Sequence, residues 1–205
     1  MDRAKESREG NGRRNSLGQD DWLNAALESL NEKGIDAVKV LPLSHKLGVT
    51  RGSFYWHFKD REDLLRQMLE YWERELTDVV IVAATALDGS SQDKLGYVIH
   101  NVLLYRQSRY DTAISAWGMF DEQAALAMKR VLRKRMRFVS RLLQASGLDK
   151  DDAALKARFL VGFMLVDATM MPRETVKQTE AKVQRCLEFL FQQPPRKEPL
   201  PQCAN

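Results

Sequence analysis

The chain has 205 residues, which suffice for one large or two small domains with a hydrophobic core. Hydrophobic residues make up 44% and charged residues 29%, as in an ordinary globular protein, and the formal net charge is +4. The longest apolar run, residues 79–84, is too short to cross a bilayer, and residues 1–16 lack the apolar segment of a secretory signal. Because Cys186 and Cys203 alone form no disulfide framework, we expect a cytoplasmic protein.

The chain begins with a polar segment, residues 1–15, in which five basic residues lie among glycine, asparagine, serine and glutamate. This composition is typical of a flexible arm. Ser16 and Gln19 then resemble a capping box, and apolar residues at helical spacing run to Gly34, the expected end of a first helix. A second, short helix is predicted at about residues 41–47.

A glycine-containing turn leads from the second helix into a third. Gly48 can adopt a left-handed conformation, and Thr50 can cap the helix that follows. Residues 16–60 therefore have the layout of a helix-turn-helix domain. Between residues 39 and 61 there are five basic residues and one acidic residue, a local charge of +5 − 1 = +4.

The third helix is predicted to have two unlike faces. Phe54 and Phe58 are four residues apart, so they share a face and should turn inward. Gly52, Ser53 and Trp56 then point away from the core. Because folding does not favour an exposed tryptophan, this outer face is a candidate docking surface.

The remaining sequence is predicted to be helical throughout. Asp60 can cap a long helix at about residues 61–87, with Asp63 at its third position. No stretch shows the alternation of a strand, so the predicted fold class is all-α, with a larger helical domain at residues 61–193 and a disordered Pro-rich tail at residues 194–205. The further helices are predicted at about residues 92–107, 111–120, 121–146, 150–171 and 173–192.

The stretch at residues 47–65 resembles the helix-turn-helix signature of the TetR family of bacterial transcriptional regulators. It reads Leu-Gly-Val-Thr-Arg-Gly-Ser-Phe-Tyr-Trp-His-Phe-Lys-Asp-Arg-Glu-Asp-Leu-Leu. The Gly-Val turn, the aromatic–aromatic–His triplet and the following Phe-Lys carry the resemblance, which covers about residues 18–66. Beyond them, the chain is similar to the family in its length and in being all-helical.

This resemblance implies an N-terminal three-helix DNA-binding domain and a larger C-terminal domain for ligand binding and dimerisation. The expected partners are a double-stranded DNA operator, a second copy of the chain paired through the C-terminal helices, and an unknown small-molecule effector. Such a protein typically leaves its operator when the effector binds. Most members repress transcription and a minority activate it.

The predicted DNA contacts lie in the third helix and its flanks. Arg51 is the candidate for a base contact, because its guanidinium fits the acceptors of guanine, with a phosphate contact as the alternative. The small residues after it are expected to approach bases, and the aromatic residues and His57 to hold the backbone and thymine methyls. Lys59 and Arg61 are phosphate candidates, and packing is the alternative role for His57. The full set is Thr50, Arg51, Gly52, Ser53, Tyr55, Trp56, His57, Lys59 and Arg61.

The predicted effector contacts are aromatic and polar residues of the C-terminal domain, since ligand pockets are mainly apolar with a few polar groups. They are Trp72, Tyr97, His100, Trp117, Phe120 and Asp167. No metal-ligand spacing occurs, so we expect neither a metal nor a cofactor, and we expect no membrane partner.

Two other classes of protein compete with a ligand-responsive regulator. An enzyme is not expected, because the sequence has no Ser/His/Asp or Cys/His arrangement and only three histidines. A DNA-binding or architectural protein that is controlled by protein partners, without an effector, stays open. Seven basic residues at positions 129–141 suggest a second nucleic-acid site, but an apolar stripe in the same helix favours a solvated face, and the helix is expected to join the dimer seam.

Overall fold

The computed structural model describes residues 17–192. The predicted arm at residues 1–15, the cap at Ser16 and the predicted tail at residues 194–205 lie outside this range. Every regular element within it is a helix, which confirms the all-α prediction. None of the described helices is long and apolar enough to span a membrane.

The N-terminal helices follow the predicted order with shifted boundaries. The first helix begins at Gln19, after Gly18, whose N–H donates to the Asp21 carboxylate over 2.8 Å. The third helix ends at Phe54, and residues 55–57 continue as a turn. These elements are α1 (Gln19–Lys33), a 3-10 turn (Ile35–Ala37), α2 (Val40–Leu47) and α3 (Arg51–Phe54).

The long helix predicted at residues 61–87 is continuous but not uniform, because its middle is π-helical. A π turn contains one residue more than an α turn, and such turns are frequent at functional sites. The helix consists of α4 (Arg61–Glu73), the π turn (Arg74–Asp78) and α5 (Val79–Ala86). The helices that follow are α6 (Ser91–Leu104), α7 (Arg109–Trp117), α8 (Glu122–Ala145), α9 (Lys150–Met170) and α10 (Val176–Phe191).

One hydrophobic core joins the first three helices to the helices that follow. Trp22 of α1 and Phe54 of α3 are fully buried in it. The same cluster includes Ile114 of α7 and Val131 of α8. The packing therefore continues across the predicted domain boundary at residue 60.

A second core lies between the C-terminal helices. Leu95 and Ile99 of α6 are fully buried there, together with Leu143 of α8. Leu160 of α9 and Leu187 of α10 complete its centre. Since α8 contributes to both cores, it links the N-terminal helices to the C-terminal ones.

Candidate nucleic-acid interface

The turn between α2 and α3 determines how α3 is presented. Gly48 has a φ of 68° and a ψ of 29°, a left-handed conformation that glycine adopts without strain. Its N–H donates to the His45 carbonyl over 3.2 Å, and the Val49 N–H donates to the Ser44 carbonyl over 3.0 Å. The predicted role of Gly48 is confirmed, and α3 begins three residues after it.

The inner face of α3 is aromatic and buried, as predicted. Phe54 is 0% and Phe58 is 2% exposed. The Phe54 ring meets the edge of the Trp22 ring at a centroid distance of 5.5 Å, and its centroid lies 5.2 Å from that of Phe58. These contacts fix the rotation of α3 about its axis, so the opposite face is held toward solvent.

The outer face contains the predicted DNA contacts. Trp56 is 87% and Tyr55 is 57% exposed, and Arg51 and Gly52 are exposed beside them. Arg51 has no ion-pair partner among residues 17–192. The remaining predicted contacts of this surface are half-buried: Ser53 and His57.

Thr50 does not cap α3 with its side chain, contrary to our prediction. Its main-chain carbonyl closes the turn instead, accepting from the Ser53 N–H over 3.1 Å. This bond joins main-chain atoms only, so the Thr50 side chain takes no part in it. The exposed hydroxyl of Thr50 is therefore available to another partner.

Lys59 and Arg61 are only two residues apart, yet their side chains differ in placement. Lys59 is exposed, and its ammonium has no ion-pair partner among the described residues. Arg61 is half-buried, and its Nε donates to the Val38 carbonyl over 2.6 Å. Its Nη2 donates to the Ile35 carbonyl over 3.0 Å. These two bonds tie the start of α4 to the loop before α2, so Arg61 has a structural role that its sequence position did not predict.

The predicted cap at the start of α4 is present, and both carboxylates of the motif accept main-chain N–H groups. The Asp60 carboxylate accepts the Asp63 N–H over 2.8 Å, and the Asp63 carboxylate accepts the Lys59 N–H over 3.0 Å. Gln67 Nε2 also donates to Asp63 over 3.0 Å. The hydrogen bonds from Gln67 and then from the Lys59 main chain lower the pKa of Asp63 from 3.8 to about 2.

The predicted effector contacts do not meet in one place. Trp72 is fully buried, and its Nε1 donates to the Asp111 carboxylate over 3.0 Å. Trp117 lies in the same N-terminal core, whereas the ring of Phe120 is 90% exposed. The first two side chains therefore belong to the packing that joins α4 to α7, and the third lies on the surface.

The other three predicted effector contacts are also separated. Tyr97 and His100 line an open depression between α6 and α10. Asp167 is buried on α9 and forms an ion pair with Lys182 over 2.5 Å. The structure thus does not support one effector site built from the six residues.

A narrow, partly open cavity that the sequence did not indicate lies between α5, α6, α8 and α9. Its volume is about 40 Å³, and its mainly apolar wall includes the polar residues Thr77, Gln107 and Ser108 and the charged residue Arg135. The wall residues are spread over about 90 positions of the chain, from Leu76 to Met164. No local pattern could reveal such a site, because it exists only once the helices have packed.

A buried polar network adjoins this cavity and connects three helical segments. The guanidinium of Arg135 in α8 contacts the Asp111 carboxylate of α7 over 2.5 Å. Its Nε donates to Thr77 Oγ1 over 3.0 Å, and its Nη2 donates to the Leu76 carbonyl over 3.3 Å. Through these bonds Arg135 fixes the π turn to α7 and α8.

The basic face of α8 is only partly the solvated surface that we predicted. Arg130 and Lys134 each contact the Glu73 carboxylate of α4, over 2.6 Å and 2.7 Å. Burial raises the pKa of Glu73, but these two partners outweigh it and the net pKa is lowered. Together with Arg135, they fasten α8 to the long helix. The basic residues that stay exposed and without an ion pair among those described are Lys129, Arg133, Arg137 and Arg141.

An exposed apolar surface lies on α9 and α10, among the C-terminal helices through which we expect the chain to pair. Its members on α9 recur at intervals of three or four residues, so they form one stripe. Phe189 of α10 is 51% exposed and packs edge-on against Phe159 of α9, with centroids 6.3 Å apart. The exposed apolar residues of the stripe are Leu155, Phe159, Phe163, Val166 and Met170.

No metal site is evident in residues 17–192, where no three His, Cys, Asp or Glu side chains group closely enough to hold an ion.

Comparison with known proteins supports the interpretation of the N-terminal helices. Residues 23–68 match the family model for bacterial regulatory proteins of the tetR family. The HTH-type transcriptional regulator AcrR of Shigella flexneri is 28% identical over 81 residues, which is 40% of this chain and 38% of AcrR. The class D tetracycline repressor protein of Escherichia coli is 43% identical over 49 residues, which is 24% of this chain and 22% of that protein. The matches therefore cover well under two thirds of these relatives.

The likeness to solved structures extends over most of the chain. A transcriptional regulator of the TerR/AcrR family from Aquifex aeolicus has a TM-score of 0.66 and 16% sequence identity. The superposition covers 84% of this chain and 99% of that structure. At this identity the comparison establishes a shared fold.

Proposed function

We propose that this chain, whose residues 23–68 match the family model for bacterial regulatory proteins of the tetR family, binds double-stranded DNA at specific sequences and represses transcription. The observation that carries the proposal is the outer face of α3 and its turn. Trp56 is 87% exposed there, although Phe54 on the opposite face is fully buried. A surface of this kind, with an unpaired Arg51 beside it, suits a contact with DNA.

The proposed roles follow from the placement of each side chain. Arg51, at the start of α3, contacts a base, and Gly52 lets the backbone approach the groove. Tyr55 and Trp56 pack on sugars and thymine methyls, and Lys59 contacts a phosphate. Ser53, His57 and the hydroxyl of Thr50 supply further contacts at the rim of this surface.

We assign the DNA-binding role to residues 16–60 and the dimerisation and effector roles to residues 61–193. The apolar stripe of α9, with Phe189 of α10, is the surface that a second copy of the chain would cover. Dimerisation places two α3 helices in successive major grooves. These two helices with their flanks, the reading heads of the dimer, must then lie about 34–36 Å apart. A change in that spacing would prevent both heads from binding at once.

Release by a small-molecule effector is the control that the helical architecture supports best. The long helix runs from the base of the DNA-binding surface to the wall of the narrow cavity. A ligand in that cavity would therefore act on the element that supports α3. Control by a protein partner without an effector is the alternative, and a broad small-molecule screen that finds no compound lowering DNA affinity would favour it.

The DNA-binding proposal is tested by selecting sites from a random DNA library and measuring affinity by fluorescence anisotropy. Arg51→Ala and Tyr55→Ala should weaken binding to the selected site much more than to random DNA, since base contacts carry sequence preference. Equal losses on both DNAs would reduce these residues to phosphate contacts. Failure of the wild-type protein to enrich any sequence would contradict the proposal. A reporter gene placed behind the selected site then distinguishes repression from activation.

A further inference from the structure

The narrow cavity between α5, α6, α8 and α9 has the character of a small ligand site. Its wall is mainly aliphatic, with Phe138 and Met164 among its larger members. At about 40 Å³ it has room for roughly one water molecule. A larger ligand can enter only if one wall moves outward.

One polar atom in the cavity wall has no partner. Gln107 Oε1 is buried and accepts no hydrogen bond from any described residue. An unsatisfied buried acceptor destabilises the fold, and a ligand N–H or O–H would remove that cost. The residue before it, Arg106, has a φ of 48°, a left-handed conformation that is strained for a side-chain-bearing residue and typical of functional turns.

The charges around the cavity disfavour an ionic ligand. Arg135 is the charged residue of the wall within residues 17–192, and Asp111 contacts its guanidinium over 2.5 Å. Its Nε is occupied by Thr77 Oγ1 at 3.0 Å. An anion would compete with Asp111 for Arg135, and a cation would meet the guanidinium. Since burying an unpaired charge is costly, the site fits an uncharged molecule.

Helix α5 is the part of the cavity wall that can move outward. Among its residues, Val79–Ala86, only Ala84 is buried, and Val82 is 66% exposed. Few buried contacts therefore hold α5 in place. It follows the π turn Arg74–Asp78, whose extra residue gives the helix a point at which it can bend.

We propose that this cavity opens by outward movement of α5 and binds an uncharged, mainly apolar molecule with one hydrogen-bond donor, which Gln107 Oε1 accepts. The inference names the chemical class of the effector, and it rests on the proposed function only for the effect of that ligand on DNA binding. Occupancy itself requires no DNA.

The test uses three probes of similar size: phenol, toluene and benzoate. They are titrated into the full-length protein with 13C-labelled isoleucine and methionine methyls. Phenol should shift the methyl signals of Ile81 and Met164, which line the cavity, and leave that of Ile35 near α2 unchanged. Phenol should bind about tenfold more tightly than toluene, because one hydrogen bond to a buried acceptor contributes about 1.4 kcal/mol. Benzoate should cause no shift at these methyls.

Gln107→Leu tests the acceptor, and Gln123→Leu, at an exposed position of α8, is the matched control. Gln107→Leu should abolish the preference for phenol over toluene and should raise the melting temperature without ligand, because the unsatisfied oxygen is gone. The control should change neither property. The inference would be overturned if the wild type bound phenol and toluene equally, or if benzoate bound at the cavity. It would also be overturned if phenol caused no saturable shift, or if Gln107→Leu kept the preference for phenol. Cavity binding that leaves DNA affinity unchanged would instead contradict the effector part of the proposed function.

Discussion

Trp56 stays in solvent although burial of an indole ring is among the largest stabilising contributions that one side chain can make. Its neighbour on the opposite face, Phe54, is fully buried against Trp22 and Phe58. Two aromatic residues in the same short segment thus differ in what they contribute. Phe54 stabilises the fold, and Trp56 is left free to contact a partner.

This difference predicts opposite outcomes for two alanine substitutions. Trp56→Ala should change the free energy of unfolding by no more than about 0.5 kcal/mol, because the ring has few contacts to lose. It should, however, weaken DNA binding measurably. Phe54→Ala should lower the free energy of unfolding by about 3–5 kcal/mol, since it leaves a cavity in the core. Urea denaturation and DNA anisotropy on both variants provide the measurement, and a large stability loss in Trp56→Ala would contradict the assignment.

Arg61 and Lys59 give a second prediction at the residue scale. Arg61→Ala leaves the carbonyls of Ile35 and Val38 without their charged donor, so it should lower the free energy of unfolding by about 1.5–3 kcal/mol. Lys59→Ala, its exposed neighbour, should leave stability nearly unchanged. It should weaken binding to all DNA sequences and reduce the slope of log affinity against log salt by about one unit.

The two variants are each other's controls. Thermal unfolding and salt-dependent anisotropy are measured on both. If Arg61→Ala were as stable as the wild type and changed the salt slope instead, Arg61 would be a phosphate contact, as its sequence position first indicated.

Sequence alone could predict the two phenylalanines, because residues four apart on a helix share a face. It could not predict Arg61, because the carbonyls that accept its hydrogen bonds lie 23 and 26 residues earlier in the chain. Thr50 differs for a local reason, because its main-chain carbonyl and not its hydroxyl accepts the Ser53 N–H. A local pattern shows which side chains can reach a partner, and tertiary packing decides which partner they meet.

At the scale of elements, the start of α4 joins the DNA-binding surface to the rest of the molecule. The Asp60 and Asp63 carboxylates exchange hydrogen bonds with main-chain N–H groups at this helix start. The sequence predicted this cap, because its residue types and spacing are local. It did not predict the π turn Arg74–Asp78, since a π turn depends on how the two ends of the helix pack.

The lowered pKa of Asp63 makes the stability of this helix start depend on pH. Its pKa is about 2 in the folded protein and 3.8 for the free side chain. The charged form is therefore favoured by folding, and its stabilisation is present above about pH 4 and lost as the pH falls toward 2. Asp63→Asn removes that charge, so the difference in unfolding free energy between wild type and variant should be largest near pH 5 and vanish near pH 2.

Urea denaturation across that pH range measures the difference. Glu62→Gln removes one negative charge from an exposed position of the same helix turn and serves as the control. A difference for Asp63→Asn that does not depend on pH would show that the carboxylate is not stabilised by its hydrogen bonds.

At the scale of the whole molecule, the cores explain why the effector residues could not be chosen from sequence. Trp72 and Trp117 were selected as aromatic residues in the C-terminal part of the chain, but they belong to the core that α4, α7 and α8 share with α1. The general architecture could be predicted, because short stretches of sequence determine where helices and turns occur. The cavity beside Gln107 could not, because its wall is assembled from segments far apart in sequence.

The apolar stripe of α9 is the other feature of the whole molecule that the isolated chain does not explain. Phe159 is 58% and Met170 is 77% exposed, and Phe189 of α10 extends the same surface. A soluble monomer rarely exposes a continuous apolar patch of this kind, so we expect a second copy to cover it. Phe159→Glu places a charge in that interface and should convert the dimer to a monomer in light-scattering and sedimentation experiments.

The DNA affinity of Phe159→Glu, compared with that of a charge placed at another exposed apolar position, tests whether the α9 stripe is the dimer interface. A monomer holds a single reading head, so Phe159→Glu should lose about 100-fold or more in affinity for a two-half-site operator and much less for one half-site. Val82→Glu, at a position of α5 that is 66% exposed, should remain dimeric and keep both affinities. If Phe159→Glu does not fold, Phe159→Ala should still raise the concentration at which the dimer dissociates in a sedimentation dilution series, because the interface loses buried apolar area. A folded Phe159→Glu variant that stays dimeric would place the dimer interface elsewhere on the molecule.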